Sequence, residues 1–599
     1  MLSAIREVGK WQISKSGKNE LEVLIKEPKF KTGGKVVLIR IDVDKNVFED
    51  VELEDYDSAK TQRYLFRGGV SQGPNPTPVA NIPNAKNGNN EQETQKNLET
   101  QIRKTFGGKI QKWFDKHSNS SKENGNVLEN IRKILSDNDD KITKAIQTCI
   151  KDIDKKEGKL LTIKIKQSDE WKYIGDFDVF RKSLKEIENK KTVEISASDK
   201  NCSICGMRKV LVSGDSSVFK FYTIDKPGFI TGGFNENLAW RNFPVCPECK
   251  LELEEGRKFI ENNLAFGFYR ISRYLLIPKL LLGSINVNSE VIGILLDSNK
   301  IVSLKDRVKK RITDANNEIL EILADEKDVL TLNFLFLRKE QSAERILLLI
   351  EDVFPSRIKK IFAAKEYVDK IFDEDFNFGR IRSFFSKSSV GKRENDLNKY
   401  FLEIVDSVFK GRRLDFAFLL KFYMTAIHKE FINDGYFIPR VKDALMDTMF
   451  FENLGLISFE EVDNMGESIF SSVFARFGKS FGSSAKRGIF LMGALTQLLL
   501  NKQWSERNAK PSFMKHLKGL KMDEKDVKAL LPKVQNKLEE YDSFDKGKKL
   551  IASEASKYIL EAGENWKENY KMSNDEINFY FACGMNLVDN VADIAYSKN

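Results

Sequence analysis

Histidine is nearly absent from this chain, with three in 599 residues. Imidazole is the usual metal ligand and proton carrier near neutral pH, so its scarcity weighs against hydrolases built on a metal-bound water. Cysteine is sparse too: there are six, and only Cys149 and Cys583 stand outside two short clusters. With no apolar leader at the start, that usage predicts a reducing cytosol rather than a disulfide-bonded secreted fold. Long apolar runs are missing. The longest, Gly488 to Leu500, falls short of the roughly 18 residues of a membrane-spanning helix, so a soluble protein is expected. Nor does one sign of charge dominate, since 98 Lys+Arg against 88 Asp+Glu leave +10. That balance speaks against a histone-like polycation and for a local basic groove.

What cysteine there is stands in a pattern. Cys202-Ser203-Ile204-Cys205 and Cys246-Pro247-Glu248-Cys249 form two matched pairs separated by 40 residues. A two-residue gap makes a tight turn that aims both sulfurs at one centre, and two such turns can surround one tetrahedral zinc. The competing readings are two disulfides or unligated buried thiols, and the reducing compartment disfavours the first. Arg208, Lys209 and Lys250 flank the pairs and would offset the negative charge that four thiolates leave on Zn²⁺. With four thiolates no position stays open for water, so the zinc is expected to be structural.

The chain is long enough for several domains. Its texture predicts an α+β multidomain fold: an α/β region over 1–195, a zinc module over 196–256, an α/β continuation over 257–390 and a helical bundle over 391–599. Val36 to Val43 reads as a strand, and alternation at Val218-Phe219-Lys220-Phe221-Tyr222 suggests strands between the knuckles. After Cys249, the acids Glu252, Glu254 and Glu255 would load the first turn of a helix running toward Ile277. Val329 to Leu337 reads as a buried strand leading into a helix around Arg345–Phe354, closed by Pro355. Beyond 391 the spacings Leu397/Phe401/Ile404/Val408, Phe470/Phe474/Phe477/Phe481 and Ile551/Ala555/Ile559 are helical. No internal repeat is visible at solenoid periods.

Taken in order, these features resemble a known family, the large subunit of type I-B CRISPR Cascade (the Cas-eight-b class). The matching pieces are Tyr64-Leu65-Phe66-Arg67-Gly68-Gly69 running into a Gly/Asn/Pro/Thr loop, the paired knuckles, Leu332-Asn333-Phe334 leading to Val353-Phe354-Pro355-Ser356-Arg357, and a helical tail near Asp575 to Phe581. The resemblance implies a non-enzymatic cytoplasmic subunit of a guide-RNA complex, working with backbone and small Cascade subunits. It would sense a protospacer-adjacent motif, help open the target DNA, stabilise the R-loop and help recruit a helicase–nuclease. It also implies that a small subunit can arise from an internal start, for which Met446, Met449 and Met465 are placed ahead of the tail. Two other classes compete: a diverged relative of the type III polymerase/cyclase subunit, and a zinc-ribbon nucleic-acid-binding protein outside CRISPR.

Such a role needs no nucleophile, because guide pairing supplies sequence recognition while protein reads the adjacent duplex. Gly478-Lys479-Ser480 mimics the end of a phosphate-binding loop, but Val473 stands where Gly is required. None of His117, His428 and His516 precedes an Asp, and Gly232-Gly233-Phe234-Asn235 is not the Gly-Gly-Asp-Asp of a polymerase palm. The Gly68–Pro78 loop carries Ser71, Gln72, Asn75 and Thr77, whose donors and acceptors suit groove reading; an ordinary surface connection would look the same. In the stretch Phe470 to Arg487, Phe470, Phe474, Phe477 and Phe481 make a core stripe, leaving Arg476, Lys479, Lys486 and Arg487 for nucleic-acid backbone contact. Lys410-Gly411-Arg412-Arg413 admits both a solvated helix end and phosphate contact.

Overall fold

Val36-Val37-Leu38-Ile39 is aliphatic at every position, a run suited to a strand buried on both faces. It forms the middle of β1 (Thr32–Asp42) in a sheet completed by β2 (Val47–Asp55), β3 (Ala80–Asn81), β4 (Glu157–Gln167) and β5 (Glu170–Tyr173). In this computed structural model, the residues described are 1–599 apart from 18–19, 29, 31, 69–72, 119–124, 155, 194–195, 215–217, 223–234, 269–271, 281–329, 341–342, 386–396, 434–436, 460–467, 509 and 598–599. The sheet order is β2-β1-β4-β3, with β5 also on β4. β1 and β4 run parallel, Leu38 beside Thr162 and Arg40 beside Lys164. Parallel neighbours need a long crossover, supplied here by a stretch containing α2 (Glu91–Thr105), α3 (Gly125–Asp137) and α4 (Asp139–Ile150). Ile102, Leu135, Ile142 and Ile146 from these helices join the strand aliphatics in one core with Trp113 and Phe114.

The chain divides into two compact units, residues 2–259 and residues 260–599 together with Met1. The first unit opens with α1 (Leu2–Ser16) and also contains the hairpin β6 (Ser196–Asn201) and β7 (Arg208–Ser213), paired antiparallel. The division falls within α5 (Pro247–Asn263). α1 and α5 touch backbone to backbone: a Cβ on Gly256 would sit 1.9 Å from the Ile5 carbonyl oxygen, and one on Gly9 would sit 1.8 Å from that of Glu252. Only glycine at both positions permits that approach. Arg6 Nε donates to Glu252 at 2.6 Å, and Trp11 meets Phe259 edge-on at 5.3 Å.

The second unit starts with an antiparallel sheet of β8 (Ala265–Phe268), β9 (Ser272–Leu280), β10 (Leu330–Lys339) and β11 (Glu344–Val353), in the order β11-β10-β9-β8. Every residue from Leu330 to Leu337 is buried, as the strand reading required. Helices follow: α6 (Pro355–Phe372), α7 (Asn398–Lys410), α8 (Phe416–Ile432), α9 (Phe437–Asn453), α10 (Ser484–Arg507), α11 (Lys546–Ala562) and α12 (Asn574–Asn586). Gly493 of α10 and Gly584 of α12 repeat the glycine crossing, their added Cβ atoms falling 2.0 Å from Phe581 O and 1.8 Å from Phe490 O. Within α9, Asp447 is fully buried, and its carboxyl group faces the buried Tyr423 hydroxyl.

The fold is therefore α+β with a helical C-terminal region, as the sequence predicted, but four local expectations fail. The helix after Cys249 ends at Asn263, and Ile277 lies in β9 instead. It begins at Pro247, so Glu248 is its first-turn acid, while Glu252 and Glu254 turn to Arg6 and Arg67. Arg345–Val353 is a strand: its unbroken aliphatic run pairs with β10, and the helix starts only at Pro355. Pro at a first helical position costs nothing because its missing N–H would be unbonded there. Val218–Tyr222 forms turns rather than strand, with Phe219 and Phe221 stacked at 5.0 Å.

Candidate metal centre and candidate nucleic-acid surfaces

The β6–β7 hairpin carries the first cysteine pair at its tip. Cys202 N–H donates to Met207 O at 3.0 Å and Gly206 N–H to Cys202 O at 2.8 Å, with Gly206 at φ +70°. The second pair is brought alongside by a bridge in which Ser213 and Val245 exchange both backbone hydrogen bonds at 2.9 Å, while Ser203 N–H reaches Pro244 O at 2.7 Å. Immediately afterwards the chain turns into α5, which sets Cys249 in the first helical turn. A hairpin tip, a bridged strand and a helix start thus converge on one point.

There the four Sγ atoms lie within 4.8 Å of one another, with Cys202, Cys246 and Cys249 buried. A tetrahedral ion with metal–sulfur bonds of about 2.3 Å needs neighbouring sulfurs roughly 3.8 Å apart, so this set fits one ion with little adjustment. No disulfide joins any of the six cysteines. The N–H groups of Ile204 and Cys246 point at Cys202 Sγ, each at 3.4 Å. Burial alone would raise the Cys202 thiol, yet these backbone donors and that of Cys205 bring it down to about 7. Burial pushes Cys246 up to about 11 and Cys249 higher still. One thiolate thus forms readily, and a cation is what would draw off the remaining protons.

The charges around the centre differ from the sequence expectation. Lys209 faces Cys246 and Cys205 and donates to Glu248 at 2.6 Å. Arg208 instead pairs with Asp199. The cation that sequence reasoning missed is Arg6, whose charge stabilises the Cys249 thiolate. Nothing in local spacing could reveal it, because Arg6 arrives through the glycine crossing of α1 on α5.

The loop residues are placed differently from one another. Ser71 and Gln72 lie outside the described residues. Asn75 is buried and donates Nδ2 to Val79 O at 2.6 Å, while Thr77 is buried, its hydroxyl without a partner among the described residues. Trp113 Nε1 and Lys109 Nζ hold the same loop at Pro76 O (3.1 Å) and Gly73 O (2.6 Å). This part of the loop is thus built into the first unit.

In the second unit the four phenylalanines of the stripe are all buried. Arg476 and Lys479 are exposed, Arg476 donating to Ile371 O at 2.8 Å. Lys486 and Arg487 face inward. Lys486 lies over the Phe459 and Tyr580 rings at 5.3 and 5.0 Å, its pKa lowered by burial. Arg487 donates to Phe481 O at 3.0 Å and covers Phe474 at 4.7 Å. The four cations therefore do not form one exposed row. Of the second basic cluster, Lys410 and Arg412 both pair with Asp406, and Arg413 stands exposed. Gly232, Gly233 and Phe234 lie outside the described residues.

A closed four-sulfur centre within a mixed fold with a helical end agrees with the features that carry the resemblance to the Cas-eight-b class. Family models bear this out along the chain. The N-terminal domain of CRISPR-associated protein TM1802 (cas_TM1802) matches residues 1–186, its central domain 199–353 and its C-terminal domain 376–599. The chain belongs to this Cas-eight-b-like family of CRISPR-associated proteins. A search of curated proteins finds no match. Among the described residues no helix is long and apolar enough to cross a membrane.

Proposed function

We propose that the protein is the non-catalytic large subunit of a type I-B RNA-guided surveillance complex in the cytoplasm. In this reading it binds guide RNA and target DNA beside backbone and small Cascade subunits, senses the adjacent motif, helps open the duplex and stabilise the R-loop, and helps recruit the helicase–nuclease. The end-to-end match to three successive domains of one CRISPR-associated family carries the proposal. The cysteine centre supports a structural ion, zinc by its all-thiolate donor set, because four protein sulfurs leave no place for substrate. It would hold hairpin, strand and helix together and supply no reaction step.

Within this reading Ser71 and Gln72 are the loop side chains left for motif sensing, since Asn75 and Thr77 are turned inward. Arg476 and Lys479 are the exposed members of the basic segment. The test is co-expression with a repeat array and neighbouring subunit proteins, followed by purification through this chain. A short guide RNA should co-purify, and the complex should shift a matched duplex in a way that depends on the adjacent motif. Purification without RNA, or binding indifferent to the motif, refutes the corresponding part.

A further inference from the structure

Helix α8 buries Leu419, Leu420, Tyr423, Met424 and Ile427. Its other face would ordinarily be polar, yet Phe418 is 36% exposed and Phe422 is half-buried beside it, their rings 5.0 Å apart. Tyr400 of α7, 37% exposed, completes the group at 5.6 Å from each ring. The hydrophobic core does not require these rings at the surface. Buried Phe385 packs beneath, 4.8 Å from Phe422, and steadies the platform.

The charges around the platform are uneven. Following Phe418 at helical steps come Lys421, Phe422, Thr425 and Lys429, one stripe of α8. Lys421, Lys429 and Arg413 are exposed and form no ion pair among the described residues. The nearby acids are already engaged. Glu403 pairs with Lys399 at 3.7 Å, Asp406 with Lys410 and Arg412, and Glu430 with Arg440 at 2.8 Å. Asp415 caps α8 through Ala417 N–H at 2.9 Å. Three cations on, or just ahead of, the helix that carries two of the rings, none ion-paired among the described residues, complement a polyanion that also offers flat faces.

We propose that the Tyr400–Phe418–Phe422 platform with Arg413, Lys421 and Lys429 is a binding surface for single-stranded nucleic acid, its rings stacking on bases and its cations contacting phosphates. This rests on the reading that the protein works on nucleic acid. Duplex keeps its bases stacked internally, so the surface should prefer single strands.

The test uses the purified full chain and a fluorescein-labelled 20-nucleotide oligothymidylate, with a duplex of equal length for comparison. Tyr400→Leu with Phe418→Leu keeps apolar bulk while removing the aromatic faces, and should weaken oligothymidylate binding by roughly tenfold or more. Arg413→Ala with Lys421→Ala and Lys429→Ala should flatten the slope of log affinity against log salt by up to about 2. Thermal melts confirm that the variants are folded. Wild-type affinity in the leucine variant overturns the proposal, even if the alanine variant weakens, because that pattern is plain electrostatics. Equal loss on duplex and single strand also overturns it. If the leucine variant keeps oligothymidylate affinity but loses a protein subunit from the purified complex, the platform is a protein-docking face instead. Each of these results leaves guide-RNA co-purification free to stand or fall separately.

Discussion

Gly256→Ala sets two physical effects against each other, and they differ in sign. Replacing a mid-helix glycine by alanine gains about 1 kcal/mol in helix propensity. Against that, the new methyl would stand 1.9 Å from Ile5 O, where real Cβ atoms do not come below 3.0 Å, so α1 must retreat by about 1.1 Å. Such overpacking costs about 1–3 kcal/mol. The same retreat loosens the Trp11–Phe259 edge contact, worth about 0.5–1.5 kcal/mol, and stretches the 2.6 Å Arg6–Glu252 bond. Packing wins by about 2 kcal/mol, equivalent to a fall of roughly 4–8 °C in Tm for a unit of this size. Differential scanning calorimetry reads the fall. A chelator competition assay should show faster metal loss, because α5 carries Cys249 in its first turn. Gly9→Ala should behave alike, and the double variant should cost less than the sum, since the first methyl has already parted the helices. A rise in Tm for either single variant would refute the backbone contact.

Elemental analysis of the pure protein should return one zinc per chain, and Cys246→Ser should lose it and destabilise the first unit. A metal-free, fully folded wild type would end that reading. Asp447→Asn should raise the Tm of the second unit increasingly from pH 5 to pH 7. Burial, with the charge of Asp443, lifts the Asp447 carboxyl well above its usual range. The unfolded chain therefore releases this proton near pH 4 while the folded one keeps it, and stability falls by about 1.4 kcal/mol per pH unit above that point until the folded group also ionises. A pH-independent difference between the two proteins would show that Asp447 is not held neutral. Arg487→Ala should lower Tm by several degrees through loss of its Phe481 carbonyl bond and ring contact, whereas Arg476→Ala, which loses only an exposed bond to Ile371 O, should lower it by much less; melts of equal Tm would place Arg487 in solvent.

The convergence of the four cysteines was legible because their geometry is local: a two-residue gap fixes how two sulfurs converge, whatever surrounds them. Leu330–Leu337 was legible for a similar reason, as a short apolar run broken only by Thr331 and Asn333 and closed by Arg338. Arg345–Val353 was not, because an unbroken aliphatic run has neither period 2 nor period 3.6, and only pairing with β10 decides its state. Arg6 was hidden for the opposite reason: its role depends on a helix crossing between residues far apart in sequence. Asn75 and Thr77 carry polar groups that suit either a groove or a turn, and Val79 O took the first while burial took both. For Lys486 and Arg487, the pattern that correctly buried the phenylalanines said nothing of cations folding back over those rings.

The position of Met446 and Met449 bears on any shorter product begun within the gene. Both are buried in the second half of α9, so translation from either would sever that helix and discard α8. Met465 lies outside the described residues. The Gly493–Gly584 crossing, by contrast, falls wholly downstream, so a product from either codon would keep the α10–α12 lock and the α11 packing against it. It would also bare the side of α12 that α8 covers in the full-length chain. A free copy would thus be an incomplete bundle whose missing wall is a segment present in every full-length molecule, and the two products would compete for the same seat.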